Sequence, residues 1–522
     1  MAEAVGVEPG EPSGRRRRNG GRNNRITQRA QRLSADVSPI RAGLEGGAYR
    51  PLSDNDVQRI HGAALEALEV IGLANAPQTG VDAMVAQGAV HGKDGRVRFP
   101  AKVVERALAS AARDVTLFGR DGEHDLQLTG RRVHFGTAGA AVQLVDPIER
   151  IYRDSVLADL WDAGRLVQNL DNVHFFQRPI IARDVTDNFE LDVNTIYASC
   201  AGTTKHIGTS FCEPGFVRGC TDLLHMIAGS EEEWRRRPFV LNTNCFVVPP
   251  LKFATESCEV MEECIHAGMP VLLLSAGQAG ATAPAPLAAA IVQSVAECLA
   301  GLVYVNAIKP GHTAVFGTWP FVSDLRTGAM SGGSGEQALL TAACAQMHRF
   351  YGLSGGAAAG IADSKVSDMQ AGWEQMCSNV MAGLAGLNMV YEAVGMHASL
   401  LGFCHESLVL GNDMIGQVLR CVRGIEVTDE TLCLDTMKAV CLDGPGHYLG
   451  AQQTLDLMQR EFVYPAIADR MSPKGWEEKD RPDLIASARA KKENILETAV
   501  NLLDPALDAD IRARFNIHLP SQ

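Results

Sequence analysis

The sequence predicts an α/β protein: a (β/α)8 barrel of the TIM type, with a mixed N-terminal cap and a helical C-terminal extension. Two observations predict it. Short apolar strands alternate with helical stretches about eight times between residues 131 and 411, which implies a parallel sheet with helical crossovers. The repeat fills roughly 260 residues, the usual length of one barrel. A doubly wound open sheet is the structural alternative, although no GxGxxG follows an early strand.

The bulk figures allow a large core. Of 522 residues, 46% are hydrophobic and 21% charged, and the formal net charge is −13. That balance is ordinary for a globular chain and disfavours nucleic acid as a partner. The 13 cysteines form no CxxC pair, so the reduced, buried thiols of a cytoplasmic protein are expected. The arginine-rich opening lacks the apolar run and cleavage site of a secretory signal. The longest apolar stretch, residues 283–308, contains Gln293, Glu297 and Asn306, and reads as a buried helix and not a membrane span.

Residues 1–45 contain Arg15 to Arg18 and the basic stretch Arg22 to Arg32. They bury too little to fold alone and read as a solvated tail, with contact to an anionic partner as the second reading. Residues 46–130 read as the cap. Ser53-Asp-Asn-Asp56 offers N-cap groups ahead of apolar positions Val57, Ile60, Ala64, Leu65, Leu68 and Ile71. A second helix is expected over 101–112, then a short strand at 115–118 ended by Gly119. Within 131–411 the expected strands are 134–136, 173–177, 206–210, 240–244, 271–275, 313–317, 354–360 and 389–392. Helices are expected near 155–170, 189–201, 214–228, 253–268, 286–307, 335–351 and 369–387. Residues 412–522 read as a mostly helical extension, with a Gly-Pro-Gly-His turn at 444–447 and charged helices around 480–504.

In a barrel, chemistry sits where strands end. The ends here offer aromatic rings and carboxylates, a combination that suits a quaternary ammonium. That cation has no N–H donors, so ring quadrupoles and opposite charge hold it. Trp319, Phe316, Phe321, Phe118, Tyr391 and Trp373 are the aromatic candidates, and Glu392 and Glu213 the carboxylates. For any one ring, a place in the core is the competing reading. Arg178 and Lys365 suit a substrate carboxylate, with an ordinary surface lysine the competing reading for Lys365. Asn244, Gln278, Asp363 and Gln370 are further polar groups at strand ends. The strand of tiny residues 353–360 leaves room for a substrate beside the loop from Asp363 to Gln370. No HxH, HExxH or CxxC occurs, so no metal is expected. His134, His174, His206 and His312 lie near strand starts and read as structural. A zinc site from Cys212, Cys245 and His206 is the open alternative. Gly332 to Glu336, ahead of a helix, is a weak anion cradle.

Several longer stretches occur in a set order. They are His134-Phe-Gly-Thr-Ala-Gly-Ala-Ala141, the loop Gly277 to Leu287 with Glu297 beyond it, and Gly328 to Glu336. Asp368-Met-Gln-Ala-Gly-Trp-Glu374 follows, then Gly444-Pro-Gly-His-Tyr-Leu-Gly450 with Thr454 and Glu461-Phe-Val-Tyr-Pro465. On these, the chain from about Leu52 to Arg470 resembles the trimethylamine methyltransferase (MttB-like) family, in its branch without pyrrolysine. The resemblance implies a barrel that moves a methyl group from an amine to Co(I) of a corrinoid (cobalamin-type) cofactor. That cofactor would be carried by a separate small corrinoid protein and not tightly held by this chain. Members that use trimethylamine carry pyrrolysine just before the Asp-x-Gln-Ala helix; here the loop is Ile361-Ala-Asp-Ser-Lys-Val-Ser367. The implied substrate is a quaternary amine such as glycine betaine. A homo-oligomer without nucleic-acid or membrane partners is expected. The alternatives are a zinc-dependent methyltransferase and a non-catalytic quaternary-amine binding protein.

Overall fold

The computed structural model describes residues 38–442 and 444–521, so the arginine-rich opening lies outside the described residues. The chain divides into two compact units: residues 38–39 with 425–464, and residues 40–424 with 465–521. The smaller unit holds helices Asp429–Leu432, Leu434–Cys441 and Gln452–Glu461, and a 3-10 turn, Tyr448–Gly450, directly after Gly-Pro-Gly-His. It buries Val440 and Met458.

The larger unit opens with a mixed layer. Helix Asp54–Val70 starts on a capping box: Ser53 Oγ accepts from the Asp56 N–H and the Asp56 carboxylate accepts from the Ser53 N–H, both at 3.2 Å. Its buried residues, Val57, Ile60, Ala64 and Leu68, recur at helical spacing. Helix Ala101–Ser110 and strand Thr116–Leu117 fall where expected; the antiparallel partner of that strand, Leu126–Gln127, was not anticipated from the sequence. Helix Gln78–Ala86 and the antiparallel strands Leu73–Ala74, Arg96–Arg98 and Val90–His91 were not anticipated from the sequence. Strands of two or three residues carry too little alternation to be read.

Eight parallel strands follow: β1 Arg132–Phe135, β2 Phe176–Gln177, β3 Ile207–Thr209, β4 Val240–Asn242, β5 Val271–Ser275, β6 Ala314–Thr318, β7 Gly356–Ala358 and β8 Met389–Tyr391. The main helices after them are α1 Leu157–Gln168, α2 Asn188–Gly202, α3 Pro214–Ala228, α4 Thr255–His266, α5 Leu287–Ile308, α6 Gly335–Tyr351, α7 Met369–Ala385 and α8 His405–Arg423. Pairing is parallel from β2 through β6, and again from β7 through β8 to β1, where Met389 faces His134. Single parallel bridges, Gly136 to Phe175 and Phe316 to Gly355, link β1 toward β2 and β6 toward β7. α5 is long and apolar enough to cross a membrane by length and composition, and 83% of that window is buried within the protein.

Alternation along the strands separates two faces. On β6, Phe316 packs its ring on His348 and Tyr351 of α6, and Thr318 Oγ1 lies 2.6 Å from His348 Nε2. That is the helix side; Val315 and Gly317 therefore face the other way. On β7 a Cβ at Gly356 would come within 2.4 Å of the Tyr391 ring. The space above the tiny-residue strand is thus filled by this chain's own Tyr391, and the expectation that it is open for substrate is corrected.

The loops after β1 and β8 build a small sheet of their own. Gln143–Asp146 pairs with Ile151–Asp154 as a hairpin, and Gly402–Phe403 joins it in parallel beside Met396–His397. α8 starts at His405 and runs through residues 411 and 412, where the sequence places a boundary. Gly411 is a packing residue: a Cβ there would lie 2.3 Å from Val394 Cγ1. Helices Leu484–Thr498 and Pro505–Arg514 complete the unit. The first packs on α8 and α1.

Candidate active site

The side of the parallel strands away from the helices collects an aromatic trio, two of its rings at C-terminal strand ends. Phe175, one residue before β2, meets Tyr391 of β8 edge-on, with ring centroids 5.2 Å apart at 71°. Tyr391 lies against Trp319, one residue past β6, at 4.9 Å and 40°. The Trp319 N–H donates to the Ser275 carbonyl at 2.8 Å, which fixes the ring's base to the end of β5. All three rings are buried. Gln177 lies two residues beyond Phe175 and so on the same face of the extended backbone.

Three buried polar atoms at this end have no hydrogen-bond partner among the described residues: Gln177 Oε1, Trp319 Nε1 and Glu392 Oε2. Such orphans are uncommon in folded proteins and call for a reason. Glu392 directly follows Tyr391. Its φ is 59°, the left-handed region that non-glycine residues rarely adopt, and only 1% of its surface is exposed. Burial alone pushes its carboxyl up to about 8.

A second polar group lies at the ends of β2 and β3. Arg178 donates from Nη2 to Ser210 Oγ at 2.8 Å. Burial draws its pKa down, against the pull of Asp192 and Cys212. Asp192, on α2, accepts from the Cys212 N–H at 2.8 Å. Burial pushes its carboxyl up to about 6, although Cys212 and Arg178 hold it down. Glu213 is exposed at the start of α3.

The remaining sequence candidates fall in three groups. Asn244 is engaged with backbone, accepting from the Phe211 N–H and donating to the Phe211 carbonyl, each at 2.9 Å. Gln278 accepts from Ser323 Oγ at 3.0 Å, and its strand Gln278–Ala279 pairs with Phe321–Val322. These two residues tie neighbouring strand ends together.

The 363–374 stretch closes on itself and on its neighbours. Asp363 accepts from the Gly332 N–H at 2.8 Å, Ser331 Oγ at 2.7 Å and Ser399 Oγ at 2.6 Å. Glu374 accepts from the Asp363 N–H and Gln370 Nε2, both at 2.8 Å. Asp368 caps α7 through the Ala371 N–H at 2.9 Å. Lys365 is exposed, and its Nζ donates to the Asp363 carbonyl at 2.7 Å. Asp363, Lys365 and Gln370 therefore hold the loop.

Two rings lie elsewhere. Phe316 faces the helices, as described above. Phe118 sits under the Arg237 guanidinium at 4.5 Å, and its carbonyl accepts from His206 Nδ1 ahead of β3, at the other end of the strands. Burial keeps the strand-start histidines neutral, and backbone engages each of them. His134 Nδ1 donates to the Asn388 carbonyl, His312 Nε2 to the Met269 carbonyl, and His174 Nδ1 accepts from the Phe135 N–H. Among the described residues no three His, Cys, Asp or Glu side chains converge as a metal site, and Cys212, Cys245 and His206 are not brought together.

The sequence reading placed Gln177 with Arg178 at the end of the second strand but passed over Phe175 and Asp192 as site candidates. A signal for Phe175 was present: within 173–177 it shares one face with Gln177 at alternate positions.

Parallel strands with helical crossovers define an α/β fold with buried aromatic and acidic groups at its strand ends, and the relatives it matches define an enzyme, a methyltransferase. The chain belongs to the trimethylamine methyltransferase (MTTB) family, whose model matches residues 17–518. It is 28% identical over 474 residues to trimethylamine methyltransferase MttB of Desulfitobacterium hafniense (strain DSM 10664 / DCB-2), covering 91% of this chain and 93% of that one. It is likewise 28% identical over 469 residues to glycine betaine methyltransferase of Desulfitobacterium hafniense (strain Y51), covering 89% and 95%. Among solved structures it is similar to the monomethylamine methyltransferase MtmB of Methanosarcina barkeri. The TM-score is 0.46 and the identity 12%, over 89% of this chain and 90% of that one.

Proposed function

We propose that this enzyme moves a methyl group from a quaternary amine, of the glycine betaine type, to a corrinoid carried by a separate small protein. We also propose that its eight strands close into a (β/α)8 barrel. The return of β8 onto β1 and the two single bridges support that closure. The observation that carries the functional reading is Glu392: a buried, unpartnered carboxyl directly after a ring of the aromatic trio. Rings and a carboxylate together recognise a cation that offers no N–H.

Co(I) of the corrinoid supplies the nucleophile. The residues of this chain bind, orient and desolvate. In this reading the packed rings of Phe175, Trp319 and Tyr391 line one side of the methylated nitrogen, and Glu392 balances its charge. As the methyl group leaves, the C–N bond breaks with its electron pair retained on nitrogen, so the leaving group is a neutral tertiary amine and no general acid is required. Arg178 is the better placed of the two basic candidates to receive a substrate carboxylate, because Lys365 is engaged with its own loop. The same loop supports a quaternary donor: Asp363 to Gln370 are ordinary side chains bonded to one another and to neighbouring loops, with no electrophile to capture a tertiary amine. Leu325, Met369, Trp373 and Leu401 are exposed apolar side chains on elements that follow β6, β7 and β8, which suits an acceptor delivered by a protein.

The test is consumption of Co(I)cobalamin, followed by absorbance, with glycine betaine, choline, carnitine and trimethylamine as donors. Turnover with at least one quaternary amine and none with trimethylamine is expected. Turnover confined to trimethylamine, or tight binding of betaines with no transfer, overturns the reading.

A further inference from the structure

A cavity of about 460 Å³ lies among the helices, and no residue of the aromatic trio or of β1 to β8 lines it. It is framed by α7, α8 and the start of helix Leu484–Thr498, and takes in Ser367, Asp368 and His397 from the loops after β7 and β8. Its size is that of a site for a small organic molecule. Much of its wall is apolar, from Met369, Leu410, Met414, Leu484 and Ile485. Flexible methionine walls adapt to the shape of an alkyl or aryl group. Gly372 of α7 also lines it, and a Cβ added there would meet no atom within 4 Å. The space beside that helix is open, unlike the space at Gly356, which Tyr391 fills.

The polar side of the cavity is rich in acceptors. Two carboxylates, Asp368 and Asp413, line it; among the described residues no Lys, Arg, Phe, Tyr or Trp does. Asp413 is engaged, accepting from the N–H groups of Ala466, Ile467 and Ala468 at 2.9, 2.7 and 3.0 Å. Asp368 accepts from the Ala371 N–H at 2.9 Å and from Ser364 Oγ at 2.8 Å, both on Oδ1, which leaves acceptor capacity on Oδ2. Burial pulls its carboxyl up, but the Ala371 N–H and the Ser364 hydroxyl outweigh that and hold it below the usual carboxylate range. It also occupies the N-terminus of α7, so an anion finds that place taken. Next in the chain, Ser367 Oγ bonds Ser407 Oγ, which lies 2.7 Å from His397 Nε2. His397 is 0% exposed, and its Nδ1 has no hydrogen-bond partner among the described residues. Burial lowers the ring to about 4, although the Ser364 backbone and Asp368 act the other way, so the ring is neutral at pH 7 and keeps one bare nitrogen. However these hydroxyls turn, Ser367 keeps a lone pair for a donor.

We propose that this cavity is a second binding site, for a protonated amine: an organic ammonium that carries an N–H and a small alkyl or aryl body. The N–H donates to Asp368 and Ser367, the charge meets the Asp368 carboxylate, and the body lies against Met369, Met414 and Leu484. The demand is the reverse of that made at the strand ends. A quaternary ammonium suits ring faces because it has no N–H, and this cavity has acceptors and no ring face of Phe, Tyr or Trp. The inference stands apart from the quaternary-amine reading, since an amine can occupy this cavity whatever donates the methyl group.

The experiment is isothermal titration calorimetry of the whole protein at pH 7 with three probes. N,N-dimethylbenzylamine is protonated at that pH, benzyltrimethylammonium is a cation without an N–H, and phenylacetate is an anion. Wild type is compared with Gly372→Leu, which places a side chain in the open space, and with Asp368→Asn, which keeps a capping group on α7 and removes the charge. The protonated amine is expected to bind wild type and to lose about tenfold or more in each variant. Any binding of benzyltrimethylammonium or phenylacetate should change by less than about twofold, because neither uses this cavity. No binding of the amine to wild type, or an affinity unchanged in Gly372→Leu, overturns the proposal. So does a loss in Gly372→Leu with none in Asp368→Asn, which would make the cavity a purely apolar site, or an equal loss for the quaternary probe. Where one variant fails to fold, the other decides. None of these failures touches the quaternary-amine reading, which is tested by methyl transfer.

Discussion

Tyr391 and Trp319 pack ring against ring at 4.9 Å and 40°, although 72 positions separate them in the chain. One ends β8 and the other follows β6, so their contact brings two strand ends to one place. A desolvated cation on such a face gains about 2 kcal/mol from the ring. Trp319→Ala is therefore expected to weaken a quaternary amine by roughly thirtyfold. A ligand of the same shape with carbon in place of nitrogen should weaken by less, because it loses only contact area. Paired titrations of the two ligands check this, and equal losses would mean that the ring contributes shape alone.

Glu392 makes stability depend on pH. Its carboxyl is raised in the folded protein to about 8 from an ordinary value of 4.5. Between those values the folded state keeps a proton that the unfolded state has lost. The contribution is therefore fully present below about 4.5 and is lost as pH rises through about 8, with a limiting slope of about 1.4 kcal/mol per pH unit. Urea unfolding of wild type and Glu392→Gln from pH 5.5 to 8.5, without ligand, should show the difference between the two curves falling in that direction. Parallel curves would place the proton elsewhere.

The rhythm of strands and helices was legible because apolar runs alternate with capped helical stretches; β5, α3 and α6 stand at the positions expected. Which face a ring takes was not. Parallel strands are buried on both sides, so Phe316 and Phe175 sit in equally apolar runs while one faces helices and the other Tyr391. Gly411 reads as a breaker in sequence and is a close-packing residue within α8, because composition carries no trace of the facing Val394. The role of Asp363 was hidden for a similar reason: its donors, at 331, 332 and 399, come from two other loops.

Asp363 and Lys365 separate loop-holding from substrate contact. Asp363→Ala removes the acceptor that joins the loops after β6, β7 and β8, and should lower kcat/KM by about tenfold or more through misplaced strand ends. Lys365→Ala removes one bond to its own loop and should stay within about twofold. Steady-state kinetics with a quaternary amine decide. A large KM effect from Lys365→Ala would make that lysine, and not Arg178, the group that meets a substrate carboxylate.

Lys205 tests what holds the opposite end of the strands. Its side chain is buried ahead of β3, and Nζ donates to the carbonyls of Val167, Leu170 and Val173 at 2.7, 2.9 and 2.6 Å. Burial draws its pKa down to about 7. Three carbonyl acceptors act in the other direction, since only the ammonium form has three N–H groups to offer. The bonds join the C-terminal end of α1 to the residues that lead into β2, where helix carbonyls lack partners of their own. Lys205→Met keeps the apolar stem and leaves three buried carbonyls unpaired, a loss of about 3 kcal/mol or more. The urea midpoint should fall accordingly, while the KM of the protein that remains folded stays unchanged, because the site lies at the far end of the strands. A loss below about 1 kcal/mol would show that water, not the lysine, can satisfy those carbonyls.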